Sequence, residues 1–72
     1  MSFINVVSSF CSYWDDLWGV EEGHCLALLR ERHPDFLFEW GKYYNWMKLH
    51  GSEEKAQWRL DHDIEEILTD YR

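Results

Sequence analysis

The chain has 72 residues, formal charge −7 and an aromatic set of five Trp, four Tyr and four Phe. That length supports one domain. The excess of acid disfavours direct nucleic-acid binding, because phosphate contacts need clustered Lys and Arg. No run approaches the ~18 continuous apolar residues that a membrane span needs.

The first predicted helix runs from Ser2 to Trp18. Phe3, Val7, Phe10, Trp14 and Leu17 recur at spacings of four and three, the signature of one helical face. Ile4, Cys11 and Trp18 flank that stripe on one side, Val6 and Tyr13 on the other. Ser2, Asn5, Ser8, Ser9, Ser12, Asp15 and Asp16 make the opposite, polar side. The apolar arc spans about half the circumference, wider than a single packed face requires. Gly19 is a natural stop, and Asp15 and Asp16 oppose the helix dipole in the last turn.

Helix two is expected from Val20 to Arg32, with Glu21 and Glu22 in its first turn and Cys25, Leu26, Leu28 and Leu29 as its apolar side. Gly23 weakens it, and Pro34 ends it because the residue before a proline avoids the helical region. Helix three starts at Pro34 or Asp35 and reaches His50, with Gly51 beyond it. Its main stripe is Phe36, Trp40, Tyr43 and Met47, flanked by Leu37 and Tyr44. Phe38 and Leu49 fall off that face, and Trp46 sits at its margin. Gly41 lowers propensity in mid-helix, as a site of close backbone approach would. Helix four follows Ser52, a good N-cap, with Glu53 and Glu54 in the first turn. Gln57, Leu60, Ile64, Ile67 and Tyr71 mark its inner line, with Leu68 beside it and Trp58 outside it. No strand alternation or internal repeat is evident, and the short connections make successive helices neighbours.

The fold expected is therefore all-α: one domain over 1–72, a small compact bundle of four short helices around a core rich in large rings. Three helices with an irregular second segment is the alternative. Two cysteines, Cys11 and Cys25, are too few for the disulfide framework of a small secreted domain, and point to a reducing compartment. Residues 1–10 lack the basic start and unbroken apolar run of a secretory leader. The expected location is the cytosol, its own or a host's.

Charge is uneven. Residues 1–29 sum to −4, residues 30–52 to +1 and residues 53–72 to −4. The acids Asp61, Asp63, Glu65, Glu66 and Asp70 read either as a solvated helix face or as a landing surface for a basic protein, steered by long-range charge. Asp15, Asp16, Glu21 and Glu22 extend that surface at the other end of the sequence. Trp58 is either half-buried against a neighbour or an interface anchor, since Trp is enriched among binding hot spots. Phe38 and Trp46 pose the same choice on helix three.

Chemistry is not encoded in any recognisable spacing. His24, Cys25, His33, His50 and His62 lack the paired short-loop arrangement of a structural zinc site, so no metal or other cofactor is expected. Neighbours in sequence on a helix do not face one another, which counts against His24–Cys25 and Asp61-His62-Asp63 as catalytic pairs. A phosphate-binding glycine loop is absent, and no enzymatic activity is expected.

The expected function is that of a small acidic protein-binding module, an inhibitor or regulator gripping a basic surface of another protein. Nucleic-acid mimicry, with carboxylates in phosphate-like positions, is its strongest form. In size, charge and lack of chemical motif the chain looks like the small inhibitors that phages and mobile elements direct at host or defence proteins; no matched residues carry that likeness. A structural homo-oligomer or assembly subunit is the alternative, because the broad apolar arc of helix one is wide enough for a second copy.

Overall fold

The computed structural model describes residues 2–71. Four helices follow one another: α1 (Phe3–Trp18), α2 (His24–Arg32), α3 (Pro34–His50) and α4 (Glu53–Thr69), with no strand among the described residues. The expected four-helix all-α bundle is what the chain forms. α1 packs on all three other helices, and α3 packs on α2 and α4. The resulting body measures 37 × 20 × 18 Å.

Local sequence sets the helix ends. Gly19 takes the left-handed conformation (φ 68°) after α1, and the N–H groups of Gly19 and Val20 donate to the carbonyls of Asp16 and Asp15. Only a residue without Cβ enters that region at little cost. Pro34 opens α3 directly after His33, which leaves helical geometry at φ −134°. Ser52 caps α4, its Oγ accepting from the Lys55 N–H at 3.2 Å. His33 Nε2 and the Tyr71 hydroxyl share a 2.7 Å hydrogen bond, fastening Tyr71, just past α4, to the α2–α3 corner.

Helix two departs from expectation at its start. It begins at His24 rather than Val20, because Gly23 adopts φ 88° and breaks the helical path. Glu21 and Glu22 consequently lie in the connection, not in a first turn. The cap comes from another helix. The Asp15 carboxylate accepts the Gly23 N–H and the Cys25 N–H, each at 2.8 Å. Asp15, read from sequence as part of the polar side of helix one, is 3% exposed.

The core also differs in composition from the large-ring interior expected. Its buried side chains are Val6, Val7, Cys11, Cys25, Leu29, Ala56, Leu60, Ile64 and Leu68, with two rings, Trp40 and Tyr44. Tyr44 is fully buried, and its hydroxyl accepts from Gln57 Nε2 at 3.2 Å. Phe3, Phe10, Trp14, Trp18 and Phe36 form a half-buried layer around that aliphatic centre. The inner face of α1 is accordingly turned toward Cys11 and Asp15, leaving Leu17 and Tyr13 outside. On α3 it is Tyr44, not Tyr43, that points inward. Gly41 meets the ring of Phe3, 3.6 Å from where its Cβ would sit, and not a neighbouring backbone.

Candidate protein-binding groove

Two ridges of equal spacing face each other across the α1/α4 seam. On α1, Phe10, Tyr13, Trp14 and Leu17 stand at i, i+3, i+4 and i+7. On α4, Trp58, Asp61, His62 and Glu65 stand at the same intervals. Such residues share one helical face. Between the ridges lie two open hollows of about 590 and about 540 Å³. The first is lined by Phe10, Gln57, Trp58, Asp61, His62 and Glu65. The second is lined by Phe10, Tyr13, Trp14, Leu17, Asp61 and Glu65. Phe10, Asp61 and Glu65 belong to both, so the hollows form one continuous groove.

The groove combines unusual exposure with one sign of charge. Trp58 is 76% exposed and Tyr13 63%. Large rings so open to water are costly to hydrate, and an apolar partner surface gains by covering them. Among the described residues the lining carries two carboxylates, Asp61 and Glu65, and no Lys or Arg. The core line of α4 explains why these residues face outward. Ala56, Leu60, Ile64 and Leu68 recur every four residues and are buried, which turns positions 58, 61, 62 and 65 to the other side.

The remaining acidic candidates divide into exposed and engaged groups. Asp16, Glu21, Glu22, Glu66 and Asp70 are exposed but do not line the groove. Asp63 serves structure instead: it accepts the Trp40 indole N–H at 2.9 Å and pairs with Arg59 at 3.3 Å, tying α3 to α4. Asp15 is withdrawn altogether. A buried carboxylate that accepts two backbone N–H groups is no landing point for a partner's cation, so Asp15 leaves the set of contact residues. Phe38 and Trp46 are exposed on α3, outside this groove.

Sequence reasoning found Trp58, Asp61 and Glu65 but not their apolar counterparts Phe10, Tyr13, Trp14 and Leu17. The signal was the excess width of helix one's apolar arc. Part of that arc faces the core and part lines the groove.

Electrostatics inside the bundle work against reactivity. Burial raises the pKa of the Asp15 carboxyl, but hydrogen bonds from the Cys25 backbone and thiol and from the Gly23 N–H, together with the charge of His24, outweigh it. The net result lies below the ordinary value of 3.8. Burial, reinforced by the negative charge of Asp15, pushes the Cys11 thiol up to about 12. Burial and the hydrogen bond to Asp15, with the charges of Asp15 and Cys11, raise Cys25 to about 12 as well. A thiol in that state is a poor nucleophile and a poor metal ligand.

His62 differs from expectation. Its Nδ1 lies 3.6 Å from Asp63 Oδ1 and its Nε2 3.8 Å from Glu66 Oε1, so sequence neighbours do meet through their side-chain ends. These three are the one group among the described residues with enough ligand atoms close together to hold a cation. Asp63 is already bound by Trp40 and Arg59, and the two nitrogens of His62 point to different carboxylates. That is the geometry of a surface polar cluster rather than of a coordination shell.

Comparison with protein-family models, curated proteins and solved structures gives no match to this chain.

Proposed function

We propose that the protein is a small acidic binding module, an inhibitor or regulator that seats a basic, apolar-anchored segment of a target protein in the α1/α4 groove. The observation that carries this reading is Trp58, exposed beside Asp61 and Glu65 on one wall, opposite the apolar ridge of α1. The partner chemistry follows from it. A helix presenting Leu, Ile or Phe at intervals of three and four would fill the two hollows, and Lys or Arg at its margins would meet the two carboxylates. Long-range attraction from a chain of charge −7 steers such a partner toward the molecule and raises its association rate.

Mimicry of a nucleic-acid backbone fits this surface less well. Apolar rings lie between the acids, and Asp15 and Asp63 are committed to internal contacts. The size and acidity suit an inhibitor of the type made by phages and mobile elements, and two buried thiols suit a reducing cytosol.

Selection from a displayed library of helical peptides tests the proposal. Recovered sequences should combine apolar residues at helical spacing with Lys or Arg. Trp58→Ala should weaken their binding by about thirtyfold or more, the effect of losing a hot-spot ring. Asp61→Asn with Glu65→Gln should flatten the decline of affinity with salt. Selected peptides without basic residues, or binding indifferent to Trp58→Ala, would refute the reading.

A further inference from the structure

The outer face of α3 presents a second apolar surface. Phe38, Trp46 and Leu49 are 62%, 56% and 78% exposed, respectively. With Lys42 and Asn45 they follow a spacing of 38, 42, 45/46 and 49, which keeps them on one side of the helix. Lys42 Nζ sits 4.3 Å from the Phe38 ring centroid, and the Trp46 and His50 rings lie 5.4 Å apart. These partial covers come from α3 itself, and all three side chains stay more than half exposed.

Charge indicates what can cover it. Along α3 the acids Asp35 and Glu39 come first and the bases Lys42 and Lys48 follow, so the helix sums to zero; α1 sums to −2 and α4 to −4. A second copy of a chain of charge −7 meets less repulsion at α3 than at α1 or α4. The order of charges is also self-complementary. An antiparallel pairing sets the acidic half of one α3 against the basic half of the other, whereas a parallel pairing sets like upon like. Lys48 already bridges Glu53 at 3.8 Å, which leaves Lys42 as the cation lying on the stripe itself. We propose that this face is a self-association surface, on which two copies pair antiparallel about a twofold axis. The groove could not serve in this way, because Asp61 and Glu65 of one copy would meet their own equivalents.

The three side chains offer roughly 400 Å² per copy. Two copies together bury about 800 Å² there, below the ~1,200–2,000 Å² of a stable complex. The dimer is therefore weak and exchanges rapidly. Salt screens the repulsion between two negative bodies whose contact is itself apolar and near neutral. Pairing strengthens as salt is added, opposite in sign to capture of a basic partner by the groove.

Sedimentation velocity of the whole chain, from micromolar to millimolar concentration at low and high salt, tests the proposal. A monomer–dimer equilibrium whose dimer fraction grows with salt is expected. Leu49→Glu combined with Trp46→Ala should raise the dissociation constant by about tenfold or more, while Trp58→Ala leaves it unchanged. Lys42→Glu should weaken pairing, and adding Glu39→Lys should restore it. A strict monomer at both salt concentrations, a dimer that dissolves as salt rises, or one insensitive to the α3 substitutions would overturn the proposal. Each of these outcomes leaves the groove reading standing.

Discussion

Replacing Asp15 tests the contact that caps α2 from another helix. Its carboxylate satisfies two N–H groups at the start of α2, one part-buried at Gly23 and one buried at Cys25. Asp15→Ala leaves both donors without that partner. An unmatched buried N–H costs about 1–3 kcal/mol, and loss of an N-cap about 1 kcal/mol. Since Gly23 can recover water and Cys25 cannot, the expected loss is about 3 kcal/mol. A domain of this length has a total stability of only ~4–11 kcal/mol, so the melting temperature should fall by about 12–24 °C. Far-UV circular dichroism through thermal and urea unfolding gives both quantities.

The same contact has a pH signature. The folded-state pKa of Asp15 is depressed below its unfolded value, so its stabilisation is fully present above the unfolded pKa of ~3.9 and is lost as pH falls through the lower, folded pKa. Asp15→Asn keeps one acceptor but no charge, and should remove part of the acid-induced loss of stability. A loss below about 1 kcal/mol in Asp15→Ala, or an acid limb unchanged in Asp15→Asn, would show that α2 does not depend on this cap.

Two other outcomes follow from the interior. Gly41→Ala places a methyl 3.6 Å from Phe3, an ordinary contact, within a helix at negative φ; it should stabilise the fold by about 0.5–1 kcal/mol in urea unfolding. Cys11 and Cys25 are buried with thiols near 12, so both should resist alkylation at neutral pH in the native state and react together once denaturant unfolds the chain, as intact-mass measurement would show.

Helix boundaries were legible where one residue type has one physical use. Gly19, Pro34, Gly51 and Ser52 mark ends that the structure retains. The start of α2 was not, because its cap lies eight residues back in another helix; no local pattern announces that Asp15 will turn inward. Facing was legible only in part. Helix one carries more apolar residues than the core accepts, and size misled: of the stripe only Val7 is fully buried, and it is joined in the interior by the small flanking residues Val6 and Cys11 rather than by the large rings. Of the groove, the α4 wall was readable because Trp58 breaks its helix's inner line. The α1 wall was not, since its rings could equally have been core.

That division of labour bears on how binding variants should be chosen. Reversing charge at Asp63 would strike the contact face on a sequence reading, yet it would also strip Trp40 of its acceptor and turn Arg59 from a partner into a repelling neighbour. Loss of binding in such a variant would report a loosened α3–α4 seam, not a missing contact. Asp61 and Glu65 differ in kind: both are exposed and line the groove, and among the described residues neither side chain bonds or pairs with another helix. Substituting them changes the charge offered to a partner while leaving the packing of Leu60 and Ile64 untouched. The acids that hold the bundle together and the acids it presents are neighbours in sequence, separated by the helical turn that puts Asp63 against Trp40 and Asp61 against solvent.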